Sequence, residues 1–278
     1  MIGGIELGGT KCVVAVANSP RDIVEMKTIT TEGPTSTISK IKSFFSNFKI
    51  NSLGIGSFGP LVLNTNSTDY GLLVSESKRG WKGINIIKEF SSLCGNIVID
   101  TDVNAAAIGE YNYGAGKLAE TFVYVTVGTG IGVGVLLQGK PHIGNFHLEV
   151  GHMFVPNKDN FRGVCRLHGN CLEGLASGPA ILARWGVQAD KLSPDHEAWE
   201  IEAQLLALGI INIISNHSPD KIVLGGGVMS QQHLFEMVRL KVEETWNGYT
   251  PLGPLSGLIL EPALGNDSGI VGSLSLSL

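Results

Sequence analysis

"IGGIELGGTKCVVAVANS", Ile2 to Ser19, reads as a strand, a Gly-rich turn and a second strand. "TFVYVTVGTGIGVGVLLQGK", Thr121 to Lys140, repeats the pattern, with Val/Ile/Leu alternation pinched by central glycines. The two turns, Gly8-Gly9-Thr10-Lys11 and Gly128-Thr129-Gly130, are alike. They predict equivalent corners of two related α/β domains, a weak internal repeat rather than a tandem array.

Outward from these hairpins the chain alternates. "TSTISKIKSFFSNF" has helical spacing, with Ile38, Ile41, Phe44, Phe45 and Phe48 on one side. "SLGIGSFGPLVL" is a short strand breaking into a Gly/Pro turn, and "IVIDTDVNAAAIGEYNYGAG" is a buried-type strand ending in acids. A helix follows it, with Asp102 or Asn104 near its start. Residues 195–217 form a long helical run, "DKIVLGGGVMS" is a buried strand ending in three glycines, and "HLFEMVRLKVEETW" is another helix. "LGNDSGIVGSLSLSL" closes the chain as a turn and a small-residue helix. This alternation argues α/β architecture. The boundary is expected near Gly114–Lys117, giving one domain of residues 1–115 plus a C-terminal helix at about 265–278, and a second of residues 116–264.

The 278 residues leave ample core for two domains. A net charge of −5 gives no support for nucleic-acid binding, which needs a basic face. The N-terminus has no basic n-region of a signal peptide, and no apolar run is expected to reach the ~20 residues of a membrane span. Four cysteines, two close together and two apart in apolar segments, do not form a disulfide framework, so a reducing cytoplasm is expected.

Glycine turns let backbone N–H groups approach a phosphate, and a Thr hydroxyl adds a donor. Neither turn is a P-loop or a Rossmann fingerprint. A structural hairpin accounts for either one alone. With Gly225-Gly226-Gly227 there are three Gly-rich corners, each after a buried strand, which suits a nucleotide in a cleft between two domains.

Asp100 and Asp102 fall on one side of their strand if the alternation continues. A phosphoryl acceptor hydroxyl needs a carboxylate to orient it and take its proton, a task for which Asp102 is placed; a helix N-cap is its other reading. Glu6, inside an apolar strand, needs a partner such as Mg²⁺ through water or a lysine. Glu149 and Glu173 suit binding of sugar hydroxyls, or are solvated surface charge.

Two of the four cysteines and two of the seven histidines lie between Gly151 and Gly174. Cys165-x-x-His168-x-x-Cys171 with His152 supplies four zinc-type ligands at a spacing that suits a tetrahedral site. Four protein ligands leave no open position, so such a zinc is structural and pins the loop that carries Glu149 and Glu173. Cys12 and Cys94 read as core residues.

These motifs together resemble the ROK family (repressors, open reading frames and sugar kinases). "IELGGTK", "DTDVNAAAIGE", "VTVGTGIGVGV", "HLEVGHM", "CRLHGNCLEGLASGPAI", "KIVLGGGVM" and "GNDSGIVGS" stand in that family's order over nearly the whole chain. The nearest branch resembles bacterial ROK fructokinases.

The resemblance implies an actin-like (ribonuclease H-like) ATPase fold, two α/β domains around a central cleft. It implies ATP-dependent phosphorylation of a hexose on its 6-hydroxyl, with Mg²⁺ and a structural Zn²⁺. The D-x-N-A-A aspartate, here Asp102, is then the general base. Gly8, Gly9, Thr10, Lys11, Gly128, Thr129 and Gly130 hold phosphates, and Gly225, Gly226 and Gly227 line the adenosine pocket. Asn104, Glu149, His152 and Glu173 contact the sugar; His152, Cys165, His168 and Cys171 bind zinc. Relatives are often homodimers.

Two departures bear on the sugar. "ESKRGW" at Glu76–Trp81 stands where that branch tends to have "TPK-x-GW", and "HLE" at His147–Glu149 stands for "HPE". A glucokinase or an N-acylhexosamine or mannose kinase is the alternative within the enzyme class. A non-catalytic sugar sensor is the alternative outside it. A DNA-binding repressor of the family carries a helix-turn-helix before the first glycine motif; here that motif begins by Glu6 and the charge is acidic, so this reading is not expected.

Overall fold

A computed structural model describes residues 1–278. The chain groups into two compact units. One comprises Met1–Gly114, Lys140–Leu148 and Asp267–Leu278; the other comprises Ala115–Gly139 and Glu149–Asn266.

The first half supplies β1 (Ile2–Leu7), β2 (Lys11–Ser19), β3 (Asp22–Thr30), α1 (Pro34–Phe45), β4 (Ser52–Ser57), α2 (Ile86–Phe90), β5 (Asn96–Thr101) and α3 (Asp102–Tyr113). Next come β6 (Thr121–Val127), β7 (Ile131–Leu137), β8 (Lys140–Pro141), α4 (Leu172–Ala176), α5 (Gly178–Trp185) and α6 (Ala198–His217). The last stretch holds β9 (Lys221–Gly225), α7 (His233–Trp246), α8 (Leu255–Leu258), β10 (Ile259–Leu260) and α9 (Ser268–Ser275).

The first sheet has the order β3-β2-β1-β4-β5 and the second β10-β9-β6-β7-β8. Counted outward from its first strand, each sheet is built the same way. β1 is antiparallel to β2 and parallel to β4, and β6 is antiparallel to β7 and parallel to β9. The paired Gly-rich hairpins occupy the same position in both sheets.

In the first unit, α1 starts with Pro34 at its first position, where the missing N–H costs nothing. Ile38, Ile41, Phe44 and Phe45 are buried, while Phe48 lies beyond the helix and packs partly against the same core. The small-residue helix α9 lies close on α3. A Cβ on Gly272 would run into the Ala105 carbonyl, and one on Gly109 into the Ser268 carbonyl. Only glycines allow that approach, which explains the Ala/Gly/Ser composition of both helices.

In the second unit, α6 corrects one expectation. Its 20 residues have a mean hydropathy of 1.3, enough by length and composition to cross a membrane. The helix is apolar because 61% of that window is buried inside the protein, and it also buries Glu202. Such a pattern, apolar on most sides, is that of a core helix.

Candidate active site

Glu6 sits on β1, paired with Val13 on β2 and Gly56 on β4. Gly56 leaves the space above it open. A Cβ there would stand 2.7 Å from Ala105 Cβ and 3.4 Å from Asp102 Cα. The first turn of α3 therefore lies directly on the sheet, beside Glu6.

Thr101 is the N-cap of α3, its hydroxyl accepting the Asn104 N–H at 3.1 Å. This settles the sequence's choice of Asp102 or Asn104 at the helix start: Thr101 does the capping, and Asp102 is the first residue inside the helix. Asp102 Oδ1 accepts the Val103 N–H at 2.9 Å. Asp100 turns to a different task. Its Oδ1 accepts the Thr101 N–H and the Asn104 Nδ2–H, both at 2.7 Å, so it fixes the buried Asn104 amide.

Burial raises the Asp102 carboxyl from 3.8 to about 6, against the pull of backbone N–H groups. Burial likewise raises Asp100 to about 6. Glu6 rises to about 7, first through burial, then through the charge of Asp102, with Lys11 opposing. Glu6 Oε2 is buried with no hydrogen-bond partner. An orphaned carboxylate oxygen beside a second carboxylate fits a hard divalent cation, which takes oxygen ligands.

The first glycine turn closes by Gly8 N–H to Lys11 O at 3.0 Å, and Thr31 braces it through its N–H to Thr10 O (3.0 Å) and its hydroxyl to Gly8 O (2.8 Å). Gly9, Thr10 and Lys11 are exposed. The second turn closes by Gly128 N–H to Gly130 O at 2.9 Å, with Thr129 exposed. Gly178, at the start of α5, donates its N–H to Gly128 O at 2.8 Å. Helix N-termini favour anions, and α5 presents its own to this turn. The sequence reading passed over this element; Gly178-Pro179 after "LEGLAS" is its signal. Gly226 has φ +92°, and a Cβ there would strike the Val127 carbonyl, so the triple glycine folds back onto the end of β6.

His152, Cys165, His168 and Cys171 bring four ligand atoms within 4.8 Å of one another. His152 Nδ1 lies 3.5 Å from Cys171 Sγ and 3.8 Å from Cys165 Sγ, and His168 Nδ1 lies 3.7 Å from Cys165 Sγ. Edge lengths of this size enclose a tetrahedral S₂N₂ centre with zinc-length bonds. The donor set fits zinc.

Two glutamates flank the cluster. His152 Nε2 is 3.8 Å from Glu149 Oε2, and His152 Nδ1 is 3.9 Å from Glu173 Oε1. Glu173 Oε2 accepts the Ile131 N–H at 3.1 Å. In the second unit the metal cluster, Glu173 and the turn of Gly128–Gly130 thus form one connected group. Cys12 is fully buried, as its apolar setting predicted, and Cys94 is half-buried against the same core.

A model of the ROK family matches residues 2–278. The chain belongs to the ROK family. It is 37% identical over 281 residues to a fructokinase of Pediococcus pentosaceus, covering 100% of this chain and 97% of the relative. It is 38% identical over 288 residues to a fructokinase of Zymomonas mobilis, covering 99% and 96%. Among solved structures it is similar to a ROK glucokinase from Streptomyces griseus in complex with glucose and AMPPNP. That match has a TM-score of 0.80 and 20% identity, and covers 99% of this chain and 98% of the other. The two sheets of like order are therefore those of the actin-like ATPase fold of ROK sugar kinases.

Proposed function

We propose that this ROK protein is an ATP-dependent hexose kinase that converts D-fructose to fructose 6-phosphate. The observation that carries the reading is the Asp102 carboxylate, desolvated at the start of α3 over Gly56 and beside Glu6. A base with an apparent pKa near 6 is ionised at neutral pH and still basic enough to take a proton. The full-length similarity to two fructokinases at 37% and 38% identity supports fructose as the acceptor.

In this reading Asp102 orients the 6-hydroxyl and accepts its proton. The hydroxyl oxygen forms a bond to the γ-phosphorus, the bond to the β,γ-bridging oxygen breaks, and ADP leaves with that electron pair. Backbone N–H groups of Gly8–Lys11 and Gly128–Gly130, with the Thr10 and Thr129 hydroxyls, hold phosphate oxygens. Gly225–Gly227 receive the adenosine. Asn104, fixed by Asp100, and Glu149 and Glu173 receive sugar hydroxyls. His152 serves through two edges, Nδ1 to the metal and Nε2 to the sugar side. Glu6 would hold magnesium, which would supply positive charge to the phosphates. His152, Cys165, His168 and Cys171 hold a structural zinc that orders the loop bearing Glu149 and Glu173. Four unpaired cysteines fit a reducing cytoplasm.

A coupled ADP-release assay with ATP and Mg²⁺ tests the reading across fructose, glucose, mannose and N-acetylmannosamine, beside Asp102→Asn. Turnover dominated by fructose and lost in the variant is the expected result. Turnover dominated by another hexose would keep the mechanism and move the substrate. No turnover on any sugar would overturn the assignment.

A further inference from the structure

The segment Glu76–Trp81 belongs to no helix or strand, yet it is tied at every turn. Glu76 Oε1 accepts the Gly80 N–H at 2.6 Å, and Ser77 Oγ donates to Gly59 O at 2.6 Å. Trp81 is fully buried and donates its Nε1–H to Glu32 O at 2.9 Å. Between these anchors Lys78 reaches back to the first glycine turn, donating from Nζ to Gly9 O at 2.6 Å.

That partner is a backbone carbonyl rather than an acid. Lys40, Lys42, Lys191 and Lys241 pair with carboxylates; Lys221 spans two carbonyls, those of Ala115 and Lys117, whereas Lys78 meets a single one, inside the first glycine turn. An ammonium has three N–H donors, and one is engaged here. The segment is already fixed by the buried Trp81 and by the Glu76 and Ser77 hydrogen bonds, so its anchoring does not depend on Lys78 alone. Lys11, the lysine inside the turn, is set against Glu6, whose carboxyl it pulls downward. The charge at the turn that is not matched by an acid is that of Lys78.

We propose that Lys78 is the cation of the phosphoryl site. Its ammonium contacts the terminal phosphate of ATP held at Gly8–Lys11 and stabilises the charge on that group during transfer. The inference rests on the kinase reading and deepens it. Lysine binds phosphate as a point charge, without the bidentate geometry of arginine.

The test uses the full chain with Lys78→Met and Lys78→Arg, with thermal midpoints checking that both fold. Binding of AMPPNP and of ADP is measured alongside turnover on the best hexose. A contact to the terminal phosphate predicts that Lys78→Met weakens AMPPNP about 10-fold and leaves ADP within about 2-fold. Turnover falls about 100-fold, and Lys78→Arg recovers most of it. Equal loss of AMPPNP and ADP affinity would mean that Lys78 only shapes the turn, and the inference would fall. Unchanged AMPPNP binding and turnover would overturn it as well. If the unmodified chain phosphorylates no sugar, the hexose-kinase reading fails by itself, and the AMPPNP-to-ADP comparison still decides Lys78.

Discussion

The carboxylate of Glu173 lies against Gly130: its Oε2 stands 2.5 Å from the place a Cβ on Gly130 would occupy, while accepting the Ile131 N–H at 3.1 Å. Gly130 thus has a steric reason to be glycine that is separate from phosphate binding. A Gly130→Ala substitution must push Glu173 aside and break its bond to Ile131. If Glu173 receives a sugar hydroxyl, the Michaelis constant for fructose rises about 10-fold in Gly130→Ala, and that for ATP changes less. Steady-state kinetics with each substrate varied in turn decide it. An increase confined to ATP would place Gly130 in the phosphate site alone.

The glycine turns, the Asp102 strand end and the Cys/His run were legible because each is local: a few adjacent residues whose types declare their chemistry. The like order of the two sheets was foreshadowed by the two similar hairpins. What the sequence hid is non-local. Thr101 takes the cap because Asp100 is engaged with Asn104 and Thr101 N–H, a division of labour that three neighbouring polar residues do not reveal. Lys78 and Gly9 are 69 residues apart, so no motif joins them. The apolar breadth of α6 follows from burial on most of its sides, which periodicity cannot supply.

The rate should carry an acidic limb. Protonated Asp102 cannot accept the hydroxyl proton, so turnover falls as pH drops through about 6, where burial places its carboxyl. Glu6, raised to about 7 by burial and by the Asp102 charge without a metal, would titrate in the same range; Mg²⁺ held there would keep it ionised, so saturating Mg²⁺ leaves the limb to Asp102. A pH–rate profile from pH 5 to 8 with saturating ATP, Mg²⁺ and fructose measures it. Asp102→Asn, slower by roughly 10²–10⁴-fold, should lose the limb due to this base. A limb of unchanged shape in that variant would assign it to another group.

The same carboxylate should cost stability. Its folded-state value of about 6 lies above the ordinary 3.8, so the folded chain holds the proton more tightly than the unfolded one. The stability this proton brings is full below 3.8 and is lost as pH rises through about 6. Above that, ionised Asp102 is a burden on the fold. Asp102→Asn removes the ionisation, and should raise stability by on the order of 1–3 kcal/mol at pH 8 relative to its effect at low pH. Thermal unfolding of both chains at pH 4 and pH 8 reads the difference. No gain in the variant's relative stability between pH 4 and pH 8 would show that Asp102 is compensated by a partner rather than desolvated.

Zinc should act on the sugar side. The cluster closes through Cys171, which is buried, and His152, whose other nitrogen faces Glu149 at 3.8 Å. The metal would fix the His152 ring, and through it the positions of Glu149 and Glu173. Metal analysis of the purified chain should find one zinc per chain. Cys165→Ser, which alters a less buried ligand, should lose that zinc and lower the thermal midpoint. Its Michaelis constant for fructose should rise about 10-fold or more while that for ATP stays within about 2-fold if, as proposed, the disturbed residues receive sugar and not phosphate. Zinc added back to chelator-treated unmodified chain should restore the fructose value. Loss of zinc without any change in fructose kinetics would confine the metal to holding the loop together, with no influence on how Glu149 and Glu173 meet the sugar.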